Sequence, residues 1–146
     1  MTPSADFATE IFNPNTPVRV PVRGFTYGQR FRVVLKPTDK KDKKFSINLK
    51  SGDDIVVHFN PRMKDKVLVF NSYYHGCWQN EERAIVTFPF EMKEIYTVDF
   101  VATGHNSVTI NINGKLIYEY REQLTGWPVT SIEVDGDLHV HSVHIA

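Results

Sequence analysis

Two short stretches hold most of the side chains able to do polar chemistry. Alternate residues of an extended strand point to opposite faces. In DIVVHFNPR (54–62), Ile55, Val57 and Phe59 therefore share an apolar face, and His58, Asn60 and Arg62 share the other. In KVLVFNSYY (66–74), Leu68 and Phe70 fall on one parity and Asn71 on the other. A turn-rich stretch around Gly76 leads to Trp78, and then Glu81 and Arg83 share a parity, with Ala84, Val86, Phe88 and Phe90 as the opposite, buried set. Neighbouring strands would so present an imidazole, two amides, two guanidiniums and a carboxylate on one surface, beside an indole.

A hydroxyl-rich ring with one C–H face suits such a surface. The C–H face packs on a rigid apolar plane, here Trp78. The hydroxyls need fixed donors and acceptors, and a site built around one hydroxyl rejects its epimer by leaving polar groups unpaired. Arg62 and Arg83 on either side of Glu81 would hold those acceptors through charge-assisted bonds. An ordinary surface ion-pair network around an exposed tryptophan fits the same pattern, because opposite charges often pair across strands. Parity alone does not choose between the two.

The elements that must carry these residues are short strands. Val18, Val20 and Val22 alternate with Arg19, Pro21 and Arg23, an edge strand by its proline. RFRVVL (30–35) and FSINL (45–49) flank the charged loop KPTDKKDKK, and the two stretches above follow, then ERAIVTFPF (82–90) and EIYTVDFVAT (94–103). SVTININGKLIYEYRE carries an Asn113-Gly114 hairpin turn, and SIEVDGDLHVHSVHI a second turn at Asp135-Gly136. No window keeps a helical period. The expected fold is all-β, an antiparallel sandwich or barrel, in a single domain over 1–146.

Composition narrows the function. Seventeen basic residues balance seventeen acidic ones, so no global field steers the chain toward nucleic acid or an anionic membrane. No apolar run is long enough for a spanning helix, and no direct membrane insertion is expected. MTPSADFATEIFNPNTPV lacks the basic and apolar regions of a signal peptide. Phe7, Ile11 and Phe12 of that stretch could dock on the body. Cys77 stands alone, which excludes an intrachain disulfide. The lysine-rich loop is interrupted by Asp39 and Asp42 and lacks interleaved aromatics, so it reads as solvated.

His58-Phe59-Asn60-Pro61-Arg62, Val69-Phe70-Asn71 and Trp78-Gln79-Asn80-Glu81-Glu82-Arg83 together resemble the galectin signature H-x-N-P-R, V-x-N and W-x-x-E-x-R. FSINL, the FPF segment, INING and DGDLHV extend the likeness over about the whole chain. The resemblance implies a jelly-roll-like β-sandwich of two antiparallel sheets, of the galectin and concanavalin type, binding lactose- and N-acetyllactosamine-type β-galactosides in a groove on one sheet. It implies that His58, Asn60 and Arg62 bond the axial 4-hydroxyl of galactose and Asn71 and Glu81 the 6-hydroxyl. Trp78 stacks under the ring, Arg62 and Glu81 reach the second sugar, and Arg83 supports Glu81. It further implies no cofactor, synthesis in the cytosol, unconventional export, and glycoconjugates as partners.

Other positions are expected to tune the site. Ser46 and Asn48 would project toward the extended end of the groove, and a Ser72–Cys77 loop with Tyr73, Tyr74 and His75 would adjust preference for longer glycans. Catalysis is not expected. A glycosidase needs two carboxylates set across the scissile bond, whereas Glu81 and Glu82 are adjacent and point to opposite faces. Cys77 and His75 lack an orienting third group. His139 and His141 share a strand face, with His144 opposite and no acidic or sulfur ligand adjoining, so no metal is expected. Open edge strands allow a homodimer or a tandem partner domain. A galectin-like interaction module with vestigial sugar binding is the alternative.

Overall fold

The computed structural model describes residues 7–103, 107–121 and 128–146. Residues 1–6 of the N-terminal stretch and Glu122, the last residue of the SVTININGKLIYEYRE segment, lie outside them. The described residues form thirteen strands: β1 (Thr9–Phe12), β2 (Val18–Pro21), β3 (Arg30–Pro37), β4 (Phe45–Ser51), β5 (Asp54–Arg62), β6 (Val67–Tyr74), β7 (Cys77–Trp78), β8 (Glu82–Arg83), β9 (Tyr96–Thr103), β10 (Ser107–Ile112), β11 (Lys115–Arg121), β12 (Ser131–Gly136) and β13 (Leu138–Ile145). One sheet runs β1-β13-β3-β9-β10-β11, and the other β2-β12-β4-β5-β6-β7 with β8 also on β6. All pairings are antiparallel.

Period-2 alternation sets which side chains go inward. In β3, Phe31, Val33 and Leu35 are buried, and in β2, Val18 and Val20, with Arg19 and Pro21 outside. Among the described residues β2 pairs only with β12, and its other edge is where a proline is tolerated. Phe59, Phe70 and Phe100 interlock between the sheets. Tyr120 of β11 is fully buried, and its hydroxyl lies 2.6 Å from Ser72 Oγ of β6. Ser72 Oγ in turn donates to the Val56 carbonyl at 2.8 Å, so this buried pair links the sheets without an orphaned polar group.

Four expectations are corrected. The apolar alternation of 82–90 is not a strand beyond Glu82–Arg83. After the Ala84 N–H donates to Leu68, the chain leaves the ladder and docks through rings, Phe90 against Phe45, Phe59 and Tyr96. Val86 is consequently exposed, and Phe88 only half-buried. Ile55 leaves the core face because a bulge at Val56 and Val57 sets two residues against one, and both valines are buried. The residues Ser72–Tyr74 belong to β6, not to a loop; the reversal is confined to His75 and Gly76, both at positive φ. Lys36 and Pro37 likewise extend β3, which shortens the charged loop.

Gly136 closes the passage from one sheet to the other. It sits at φ +110°, and a Cβ there would lie 2.6 Å from Phe45 Cα and 2.7 Å from the Lys44 carbonyl oxygen. Both obstacles are backbone, so neither can swing aside. Gly136→Ala should lower the unfolding free energy by about 3 kcal/mol or more in urea titration. Gly24→Ala, at φ +89° with nothing within 4 Å of its Cβ, should cost on the order of 1 kcal/mol. Equal losses at the two positions would contradict the close approach at Gly136.

Candidate functional site

Register places the polar residues in rows across the strands. Asn48 of β4 faces His58 of β5, which faces Asn71 of β6. Beside that row, Asn60 faces Val69, which faces Arg83 of β8. Lys44 bridges to Arg62. The side chains alternating with these, Ile47, Phe59 and Phe70, are buried in the core, so each polar residue stands on a packed support.

Hydrogen bonds then tie the rows together. Arg62 Nε donates to Asn60 Oδ1 at 3.0 Å, and its Nη2 lies 3.4 Å from Glu81 Oε1. Arg83 Nε donates to Glu81 Oε2 at 3.0 Å. Glu81 is thus gripped on both oxygens by the two guanidiniums. Asn60 Nδ2 donates to the Phe45 carbonyl at 2.8 Å, which pins its amide plane. Asn71 is spanned by its neighbours: Oδ1 accepts the Ser72 N–H at 2.7 Å, and Nδ2 donates to the Gln79 carbonyl at 3.2 Å. Between β7 and β8, that second bond holds the excursion that carries Glu81 over Arg62.

Trp78 lies 51% exposed, the only large aromatic side chain among the groove's lining residues left so open to solvent. His58 and Tyr73 meet its ring at centroid distances of 4.8 and 5.0 Å, inclined at 58° and 64°. These tilted contacts brace the indole from the side. The His58 imidazole is pushed down to about 4, first by burial and then by the Arg62 charge, with Glu81 opposing. It is therefore neutral throughout the physiological range.

A groove of about 520 Å³ gathers His58, Asn60, Arg62, Asn71, Trp78 and Glu81. Ser46 also lines it; Asn48 does not, being buried with Oδ1 turned to His58 Nδ1 at 2.6 Å. Arg83 stands at the rim through Glu81. Sequence reasoning missed Val69 as a lining residue, and also the far wall, Asp42, Lys44 and Asp135 to Asp137. Val69 is apolar on the polar parity, a departure visible in the sequence. The far wall depends on contacts between distant segments: Asp137 accepts the Lys41 and Lys43 N–H groups at 2.7 and 2.9 Å. Burial opposes the charged form of Asp137, but backbone N–H groups of the 40–43 turn outweigh it and hold its carboxyl below the usual range.

Outside the groove, Glu82 bonds the Tyr118 hydroxyl of the opposite sheet, so Glu81 and Glu82 do point apart. His139 and His141 meet edge to face at 4.6 Å. His144 does have an acidic neighbour, contrary to the sequence reading: its Nδ1 lies 2.6 Å from Glu10 Oε2, brought there by the β1–β13 pairing. Among the described residues no group of three or more histidine, cysteine or acidic side chains is placed to hold a metal ion.

A two-sheet sandwich with a polar groove and an open indole on one sheet has the form of a sugar-binding lectin. The family model for galactoside-binding lectins matches residues 17–145, and the chain belongs to that family, the galectins. Its members are carbohydrate-binding lectins, not enzymes. Mouse galectin-6 is 34% identical over 142 residues, covering 91% of this chain and 45% of that protein. Bovine galectin-4 is 29% identical over 137 residues, covering 92% and 41%. The chain thus spans less than half the length of these two relatives. The crystal structure of Caenorhabditis elegans galectin LEC-6 superposes with a TM-score of 0.88 at 42% identity, covering 97% of this chain and 98% of that one.

Proposed function

We propose that this domain binds lactose- and N-acetyllactosamine-type β-galactosides in the groove, without metal or chemistry. One observation carries the reading: His58, Asn60 and Arg62 converge beside Glu81, itself held by two arginines, next to an exposed indole. The axial 4-hydroxyl of galactose is met by His58 and Arg62, the latter steadied by Asn60, while Trp78 covers the C–H face. The 6-hydroxyl falls to Asn71 and Glu81, and the second sugar to Arg62, Glu81 and Arg83. An equatorial 4-hydroxyl leaves that cluster unpaired, which is the basis of selectivity. The place of action goes with this reading: glycoconjugates outside the cell, reached by unconventional export.

Calorimetric titration with lactose, with cellobiose as the epimeric control and EDTA throughout, tests it. Saturable binding of lactose alone is expected. Silence with both sugars from a folded sample would overturn it in favour of a protein-interaction module.

The pH dependence is also set. A group whose folded pKa lies near 4 does not change charge between pH 8 and 5. Lactose affinity should therefore be flat over that range at constant ionic strength, and fall as pH drops through about 4, where His58 becomes a cation beside Arg62. A decline centred near pH 6.5 would contradict the buried placement of His58.

A further inference from the structure

Asn48 of β4 stands beside His58 across the ladder, on the face that carries the groove, but does not line the groove itself. It is 9% exposed, and its Oδ1 lies 2.6 Å from His58 Nδ1. An amide oxygen accepts and cannot donate, so the proton of that bond is carried by Nδ1. A neutral imidazole has one N–H only, which leaves Nε2, on the opposite side of the ring, as a bare acceptor. Neighbouring charge favours the same arrangement. Arg62 stands close enough to act on His58 electrostatically, and a lone pair turned toward a guanidinium is preferred over a second N–H. The charged groups about the ring are Arg62 and Glu81; Trp78, Asn71 and Asn48 are uncharged.

We propose that Asn48 is a positioning residue that fixes His58 as the Nδ1–H tautomer, so that the site selects a hydroxyl that donates to Nε2 while accepting from Arg62. This rests on the galactoside reading and gives it a polarity. The 4-position must carry a group that both donates and accepts. A 4-deoxy-4-fluoro analogue, which cannot donate, is excluded although its size and stereochemistry are right. A structural role for Asn48 alone predicts no such polarity.

The test begins without sugar. Long-range ¹H–¹⁵N correlation spectra of the labelled protein at pH 7 should show His58 Nδ1 protonated and Nε2 bare. The reverse tautomer, or an even mixture, would overturn the proposal, whether or not lactose binds; absence of lactose binding with the expected tautomer would overturn only the ligand reading. Two substitutions follow. Asn48→Asp keeps an acceptor at the same place and should keep the tautomer, with lactose affinity within about threefold at pH 8. Its carboxylate would favour the imidazolium, so the acid fall in binding should move upward in pH. Asn48→Leu removes the acceptor: a tautomer mixture and a five- to tenfold weaker lactose affinity are expected, with the other amide resonances in place. Unchanged tautomer and affinity in Asn48→Leu would refute the role. So would equal loss in the two variants with both folded. Finally, 4-deoxy-4-fluoro-lactose should bind at least tenfold more weakly than lactose to the natural chain, and equal binding would count against the required donor.

Discussion

Trp78→Ala raises the dissociation constant for lactose on the order of a hundredfold and leaves the melting temperature almost unchanged. The two halves of that result have separate causes. The indole is half in solvent and belongs to a two-residue strand at the sheet edge, so removing it opens no core cavity. A sugar ring laid on it would cover roughly 100 Å² of apolar surface, which at about 25 cal/mol per Å² amounts to roughly 2.5 kcal/mol. That is close to two decades in affinity. Trp78→Phe should fall between, because the smaller plane covers less of the ring. Calorimetry of the two variants measures this directly, and an alanine variant that binds lactose normally would remove Trp78 from the site.

Arg62→Ala is expected to weaken lactose binding by a hundredfold or more, through more than its own contacts. Its Nε and Nη2 are committed to Asn60 and Glu81, and its other N–H groups remain for ligand oxygens. Charged donors contribute about 1.5–3 kcal/mol each, against about 1 for neutral ones. With Arg62 gone, Glu81 is held by Arg83 alone and Asn60 loses the donor to its oxygen. Both acceptors then lose the orientation a sugar requires. Arg62→Lys should not restore binding, since an ammonium cannot bridge Asn60 and Glu81 with a planar fork. Stability should change by less than about 1 kcal/mol, because the ion pair is 31% and 40% exposed at its partners. Rescue by lysine would show that charge alone suffices.

Much of this was legible in the chain, and the failures have physical reasons. Alternation located β2 to β6, β9 and the β10–β11 hairpin because one face of each strand is buried and the other is not, whereas the Asp135-Gly136 turn joins strands of different sheets. The same alternation misled at Ala84 to Phe90, where apolar periodicity exists without a partner strand and the rings pack individually. It also misplaced Ile55, since a bulge changes parity without leaving a sequence mark at Val56 or Val57. The cluster His58, Asn60, Arg62, Asn71, Glu81 and Arg83 was readable because its members follow strand parity or share a motif. Asn48 has the same parity as Ser46 and yet a different part, since its neighbour across the ladder is an imidazole that takes its oxygen. Asp137 was not readable at all, because its partners lie more than ninety residues earlier in the chain.

The bonds among Asn60, Arg62, Glu81, Arg83, Asn48 and His58 have a thermodynamic consequence. These side chains are restrained before any ligand arrives, so their rotamer entropy is already lost in the cost of folding. What binding must still order is chiefly the sugar itself and its glycosidic torsions. Rigid ligands should therefore gain most: a galactoside locked in its bound torsions should bind with a smaller entropy penalty and nearly the same enthalpy. Core substitutions beneath the groove, at Phe59 or Phe70, would act in the opposite sense, by returning to these side chains a freedom that each binding event must then remove again.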